Sequence, residues 1–378
     1  MFPYLRKILR FNWVLLALMV GLAAFGVTAI YAATYMRDNA ALAASYNRQM
    51  TWCFIGFGIF VVVSLIDYKW IRWGAIPMYL MGIGSLIALK FIGKKVYGAQ
   101  SWIRYGGFSF QPSQLAVLAG ILVVAFILSD LKKLHPAVRM LIIAAVCTPP
   151  MLMIMLQREL GGALVWVPTI FFMMFAGRIP IRYLLSILIF AVACMPLAFN
   201  FLLKPYQRDR ILVFLDNNID PLGAGWQVNQ SLIAIGSGGW SGKGYLAQGT
   251  QNELGFLPAT AAHNDFIFAV IGEEFGFIGC AALIGAFVLL LLSIIFVAYN
   301  SRDDLGTLFC AGTAGLIFTH MVMNVGMTIS VLPVTGLPLP LISYGGTFAV
   351  LIMFMLGVVQ SVWIHRKKDV PARRSIGV

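Results

Sequence analysis

Charge is scarce in this 378-residue chain: Asp, Glu, Lys and Arg make up 11% of it, with 14 carboxylates and four histidines. So little charge, beside 60% hydrophobic residues and a mean hydropathy of +0.88, excludes an ordinary soluble globule, which could not hide that much apolar surface. Paired cysteines are missing too. Cys53, Cys147, Cys194, Cys280 and Cys310 all fall inside apolar runs and none forms a C-x-x-C pair, which argues against a disulfide framework or a zinc site. There is no G-x-S-x-G, no Cys–His nucleophile arrangement, no internal repeat and no low-complexity segment. Residues 237–244 come nearest to a phosphate-cradling loop, but Ser237 stands where Gly is needed and Gly244 where Ser or Thr is needed. That stretch reads instead as a flexible turn that lets backbone approach a ligand or the bilayer.

What the chain does have is long apolar runs. A membrane span needs about 20 apolar residues, and candidates lie at roughly 13–35, 50–66, 74–92, 115–130, 139–156, 160–177, 183–203, 265–298, 305–331 and 346–364. The first is too long and too apolar for a signal-peptide core and reads as an uncleaved anchor. The span at 265–298 is over-long, so it tilts or its ends protrude. These runs define an all-α polytopic membrane protein of about ten transmembrane helices, a single domain over residues 1–378. Most of the 27 cations fall on short segments that share one side if the N-terminus is cytoplasmic, among them Arg6, Lys7, Lys132, Lys133, Arg366 and Lys367. Both termini are then cytoplasmic. The net charge of +13 is explained largely by this orientation, with no need for nucleic acid.

Between the seventh and eighth spans lies the large connection 204–264, which this orientation places on the extracytoplasmic side, away from nucleotides. A connection of about 60 residues among short ones is usually functional. Gln227, Gln230 and Ser231 share one helical face in it, as in a short interfacial helix with its polar side toward a cavity. Arg104, Arg208, Arg210 and Lys243, with Lys94 and Lys95, are cations kept on the disfavoured side. They suit either an anionic partner such as a phosphate or a solvated, headgroup-contacting loop. Elimination among the carboxylates leaves Glu159, Asp265, Glu273 and Glu274. Asp265 opens an apolar run, where it is either a helix N-cap or a base at the membrane surface. Glu273 and Glu274 lie about 12 Å further along the same helix, as a structural network or as part of catalysis. His263 with Asp265 makes a weak metal motif, and His320 with Asn324 reads as inter-helix hydrogen bonding.

Several motifs together carry a resemblance. Gln207-Arg208-Asp209-Arg210, Asp220-Pro221-Leu222-Gly223-Ala224-Gly225, Gln230-Ser231-Leu232-Ile233-Ala234-Ile235-Gly236-Ser237-Gly238-Gly239, Gly255-Phe256-Leu257-Pro258, Asp265-Phe266-Ile267-Phe268-Ala269 and Pro338-Leu339-Pro340-Leu341-Ile342-Ser343-Tyr344-Gly345-Gly346 strongly resemble the SEDS family (shape, elongation, division and sporulation proteins) over nearly the whole chain. Residues 242–244, 249–251 and 324–327 look more like its elongation branch than its division branch. The resemblance implies ten spans and a glycosyltransferase that polymerises lipid II outside the membrane. Its implied partners are a class B penicillin-binding transpeptidase, other elongation-complex proteins and membrane lipids. By motif, Asp265 is the family's essential carboxylate, implied to deprotonate the acceptor's GlcNAc 4-hydroxyl. That oxygen attacks MurNAc C1 of the donor, and undecaprenyl diphosphate leaves. The cations Arg104, Arg208, Arg210 and Lys243 are expected to bind substrate. Gln111, Ser113 and Glu159 join them, as do Gln230, His263, Ser343 and Tyr344. No cofactor is required by the sequence, although a divalent cation, Mg or Mn, would suit the diphosphate.

The chain departs from the family pattern at three places. Gln114 and Val117 stand where the family usually has Glu and Lys, a paired loss that leaves no single buried charge behind. Lys94, Lys95 or Arg104 would then have to supply the missing cation. Gln157-Arg158-Glu159-Leu160-Gly161-Gly162 replaces Gln-Pro-Asp-Leu-Gly-Thr, which keeps a carboxylate. The segment from Leu257 to Asp265 is two residues longer than the family's and lacks its Glu.

Overall fold

The computed structural model describes residues 7, 9–35, 40–96, 99–105, 108–157, 159–216, 219–220 and 223–366. Seven apolar helices come first: α1 (Trp13–Thr34), α2 (Ser45–Leu65), α3 (Ile71–Ile92), α4 (Pro112–Asp130), α5 (Pro136–Leu156), α6 (Leu160–Ala176) and α7 (Ile181–Leu197). The connection then forms α8 (Pro205–Leu215) and α9 (Ala224–Gly238), and the chain ends with α10 (Ile267–Tyr299), α11 (Asp304–Thr328) and α12 (Gly346–Ile364). Among the described residues nine helices are long and apolar enough to cross a membrane, and α6, broken near Val165, is a shorter tenth. The expected spans therefore all appear, as a multi-pass membrane fold.

Three short antiparallel strands interrupt the helical pattern between α3 and α4: β1 (Lys94–Val96), β2 (Ala99–Tyr105) and β3 (Phe108–Phe110), in the order β1-β2-β3. Arg104 pairs with Ser109 across β2 and β3. The side chains of Lys94, Lys95 and Arg104 lie outside the described residues.

Helices α4 and α12 form the centre and are buried along most of their length, whereas α7 is almost wholly exposed. Lipid tails are as apolar as leucine, so helix association here depends on close packing and hydrogen bonds rather than on escape from water. Glycines permit that approach. A Cβ on Gly357 of α12 would sit 2.9 Å from the carbonyl oxygen of Phe60 on α2, and one on Gly120 of α4 would strike the Trp166 ring.

The over-long α10 resolves its length with a kink. Gly276 takes φ +64°, ψ −162° inside the helix, so α10 is two helical pieces in series. The break frees backbone groups that lipid could not satisfy, and residues 239–244 satisfy them. The N–H groups of Lys243 and Gly244 donate to the carbonyls of Glu273 and Glu274, and those of Phe277 and Ile278 donate to the carbonyls of Gly239 and Trp240. The turn read from the sequence as an approach to ligand or bilayer thus approaches a broken helix.

Candidate active site

One end of the bundle opens into a cavity of about 930 Å³. The N-terminal ends of α2, α4, α6, α10 and α12 meet around it: its lining includes Arg48, Gln111, Glu159, Asp265 and Gly345, each at or near the start of one of these helices. The mouth is polar. Deeper in, Ile55, Val117, Leu118, Leu316, Leu351, Ile352 and Met355 make an apolar wall.

Asp265 precedes the first turn of α10, and its backbone is fixed from three directions. Asn324 Nδ2 donates to its carbonyl at 2.9 Å and to that of Leu337 at 2.7 Å. Ser343 Oγ donates to the carbonyl of the preceding Asn264 at 2.6 Å, and Tyr344 N to that of His263 at 2.9 Å. The side chain is left over. It makes no cap on α10, whose N-cap residue is Phe266, and Asp265 Oδ1 has no hydrogen-bond partner. Of the two sequence readings, the N-cap is thereby removed. Burial pushes the Asp265 carboxyl up to about 6 against the opposing field of Arg210. Some of its surface remains open to the cavity, the exposure a base needs to meet its substrate.

Glu159, the second carboxylate of the cavity, accepts from Gln111 Nε2 at 2.6 Å and from Ser113 Oγ at 2.7 Å, both on Oε1. Oε2 has no partner. Burial pushes this carboxyl up to about 7 although both hydrogen bonds favour its charged form.

The cations nominated from the sequence lie elsewhere. Arg210 Nη1 donates to the carbonyl of Val334 at 3.1 Å, close enough for its field to reach Asp265. Arg208 turns back onto the end of the preceding span, donating to the carbonyls of Leu203 and Asn200. Lys243 pairs with the buried Glu273 at 2.6 Å. None of the three lines the cavity. His263 and Tyr344 line it with their rings 5.2 Å apart. Ser343 lies behind the wall, accepting from Leu339 N at 2.8 Å. On α9 it is Gln227, rather than Gln230, that reaches the cavity, while Ser231 is buried against the carbonyl of Thr328. His320 and Asn324, read from the sequence as inter-helix hydrogen bonding, bond α11 to non-helical backbone instead, the histidine through Pro338 O at 3.0 Å and the asparagine through Leu337 O and Asp265 O.

The sequence reading passed over Arg48, which does line the cavity, because it lies outside any nominated motif. Its signal was available: an arginine just before a span, on the disfavoured side. Gln114 and Val117, the departures on α4, also face the cavity. Among the described residues no three His, Cys, Asp or Glu side chains converge as a metal-binding set.

Two carboxylates with raised pKa at an apolar-walled cavity of a multi-pass fold mark a candidate site for acid–base chemistry. The chain belongs to the FtsW/RodA/SpoVE family of cell cycle proteins, whose model matches residues 11–368. It is 36% identical over 323 residues to the peptidoglycan glycosyltransferase MrdB of Escherichia coli K12, covering 85% of this chain and 86% of that one. The fold is similar to a chain of a peptidoglycan synthase complex that coordinates polymerization and crosslinking (TM-score 0.80, 29% identity, 95% and 99% of the two chains). It is also similar to the rod shape determining protein RodA of Thermus thermophilus (TM-score 0.70, 27% identity, 95% and 98%).

Proposed function

We propose that this protein is a peptidoglycan glycosyltransferase that polymerises lipid II into glycan strands for cell elongation. Asp265 is the general base, and the cavity faces the extracytoplasmic side of a bacterial inner membrane, with both termini cytoplasmic. The observation that carries this is Asp265 itself: a carboxylate at the cavity lining, fixed through its backbone, whose buried Oδ1 has no hydrogen-bond partner. The donor sugar is already activated by its diphosphate, so the protein has to supply a base and an oriented acceptor. Asp265 takes the proton of the acceptor GlcNAc 4-hydroxyl, the oxygen bonds to MurNAc C1, and the C1–O bond to undecaprenyl diphosphate breaks. A polyprenyl chain explains why the polar mouth continues into the wall of Ile55, Leu351, Ile352 and Met355.

Within the same reading Gln111, Ser113 and Glu159 meet the polar part of a substrate, with His263 and Tyr344 opposite. Arg210 and Ser343 act through Asp265 and its loop. Arg104, Arg208, Gln230 and Lys243 remain substrate-binding proposals that need movement of the loop or of side chains. A class B transpeptidase is the proposed partner, by analogy with a similar chain that works in a synthase complex joining polymerization to crosslinking. The sequence also allows a flippase for lipid-linked cell-wall precursors or a non-catalytic scaffold for the transpeptidase; the flippase draws little support, because Glu273 is engaged by Lys243 and by the backbone of Gln251 rather than lining a path. The test is reconstitution of the purified chain with lipid II and a class B transpeptidase. Glycan strands are expected from the wild type and none from Asp265→Ala; normal polymerisation by the alanine variant would remove Asp265 as the base.

A further inference from the structure

Arg139, near the start of α5, is a buried cation without an anion. It is 7% exposed, its Nε has no hydrogen-bond partner, and it makes no ion pair among the described residues. A guanidinium keeps its charge on burial, and a buried charge without a counter-ion is strongly unfavourable. The start of α5 lies at the end of the bundle away from the cavity, so the substrate of that cavity is not the missing anion.

The two halves of this end differ in charge balance. Around α3, α4 and α11 the cations are matched: Lys69 pairs with Asp303 at 3.8 Å, Arg72 with Asp130 and Lys132 with Asp304. Around the starts of α5 and α7 they are not. Residues 131–208 hold a single carboxylate, Glu159, and it lines the cavity at the other end. Lys133, Arg178 and Arg182, all exposed, join Arg139 on this side, and none of them is in an ion pair among the described residues. Membrane orientation accounts for cations that water solvates. It does not account for one withdrawn from water.

The surroundings say what kind of anion fits. His135 stands one turn before Arg139 on the same face of α5. Its ring meets that of Tyr183 on α7 at 6.1 Å, and the Arg182 guanidinium lies over Tyr183 at 5.1 Å. One turn further into the span from these rings, Val138 on α5 and Ile187 on α7 are exposed and apolar. We infer that this corner binds an anionic phospholipid: the headgroup phosphate is the counter-ion of Arg139, Arg182 is the second donor, and the acyl chains run past Val138 and Ile187. Guanidinium presents paired donors to phosphate oxygens, and basic recesses between spans on the cytoplasmic side suit such headgroups. A zwitterionic lipid would bring an ammonium to a corner with no carboxylate to receive it. The site lies apart from the cavity and stands without the polymerase reading.

The test measures binding. The full chain in detergent is titrated with phosphatidylglycerol, with phosphatidylethanolamine and with inorganic phosphate; bound lipid is counted by native mass spectrometry and thermal unfolding is followed in parallel. Phosphatidylglycerol should bind and raise Tm, and the other two should do neither at the same concentration. Arg139→Gln should weaken phosphatidylglycerol binding about tenfold to a hundredfold, as loss of a charge-assisted hydrogen bond does, and remove most of the lipid-dependent rise in Tm. Its Tm without lipid should stay at or above the wild-type value, because an unpaired buried charge has gone. Arg182→Gln, at an exposed position that folding tolerates, should weaken binding in the same direction, and Lys69→Gln in the matched half should leave it unchanged. Unchanged phosphatidylglycerol binding in Arg139→Gln overturns the inference; should that variant not fold, unchanged binding in Arg182→Gln overturns it instead. An equal loss in Lys69→Gln would reduce the effect to net charge and overturn it too. So would equal binding of phosphatidylethanolamine, or a rise in Tm with inorganic phosphate alone, which would make the corner a site for a free anion.

Discussion

The Nζ of Lys243 lies 2.6 Å from Glu273 Oε1, and the backbone N–H of the same lysine donates to the carbonyl of the same glutamate at 3.0 Å. One residue of the connection thus holds both the side chain and the backbone of α10 just before its kink at Gly276. Glu273 also accepts from Gln251 N at 2.8 Å and from Ser237 Oγ at 3.3 Å. The half of α10 between Asp265 and the kink is consequently tied to the connection rather than to the rest of its own helix.

Lys243→Met should therefore destabilise the fold by leaving a buried carboxylate without its cation. Glu273 is 1% exposed and Lys243 28%. The expected loss lies between the roughly 1 kcal/mol of a surface pair and the about 3–5 kcal/mol of a fully buried one. The double variant with Glu273→Gln should recover part of it. Thermal unfolding in detergent, arranged as a double-mutant cycle, measures the coupling; additive losses would mean the pair contributes nothing.

Activity should fall as pH drops through about 6, because as the proposed base Asp265 has to be ionised and burial holds its carboxyl up to about 6. The sign for stability is opposite. A carboxyl raised on folding is disfavoured in its charged form, so the folded state loses stability as pH rises from the ordinary carboxylate range toward 6. Asp265→Asn should abolish this acidic limb together with the base. The loss expected for a missing base is about 10²–10⁴-fold in rate, read as glycan polymer formed over a pH series.

Glu159 gives a second pH signature. Its carboxyl is pushed up to about 7, so at pH 8 the folded protein holds an ionised group that its surroundings disfavour, and at pH 5 it does not. Glu159→Gln should raise the melting temperature at pH 8 and change it little at pH 5. A gain of the same size at both values would point to packing instead of ionisation.

The ten spans were legible because length and apolarity alone define them, and the structure moved their ends by only a few residues, with one consequence. The sequence reading began the second span at 50, after the polar turn Ser45-Tyr46-Asn47-Arg48-Gln49, whereas α2 starts at Ser45. That shift is what hid Arg48 from consideration. Elimination left Asp265 as one of four carboxylates, and only the motif resemblance singled it out. The roles of Arg208 and Lys243 were not, because charge on the disfavoured side looks the same whether the partner is a ligand, a helix-end carbonyl or a buried glutamate. The kink was illegible for a related reason: the backbone groups that compensate it come from residues 239–244, far earlier in the chain. Three strands of three, seven and three residues carry too little periodicity to announce themselves.

Gly336 sits beside Asp265, the proposed base, in a conformation that side chains rarely adopt, with φ +69°. A Cβ there would lie 3.3 Å from Asp265 Oδ2, so the missing side chain keeps one flank of the carboxylate open. Gly336→Ala then carries two separable penalties. The left-handed backbone costs about 1 kcal/mol of stability in any such glycine. Crowding of Oδ2 falls only on catalysis, where the acceptor hydroxyl has to reach the carboxylate at hydrogen-bond distance. Gly255 separates the two, since it has φ +78° and open space where its Cβ would go. Gly255→Ala and Gly336→Ala should lose similar stability by thermal unfolding, while polymerisation falls substantially in Gly336→Ala alone. Equal activity in the two variants would mean that the flank of Asp265 beside Gly336 is not the one the acceptor uses.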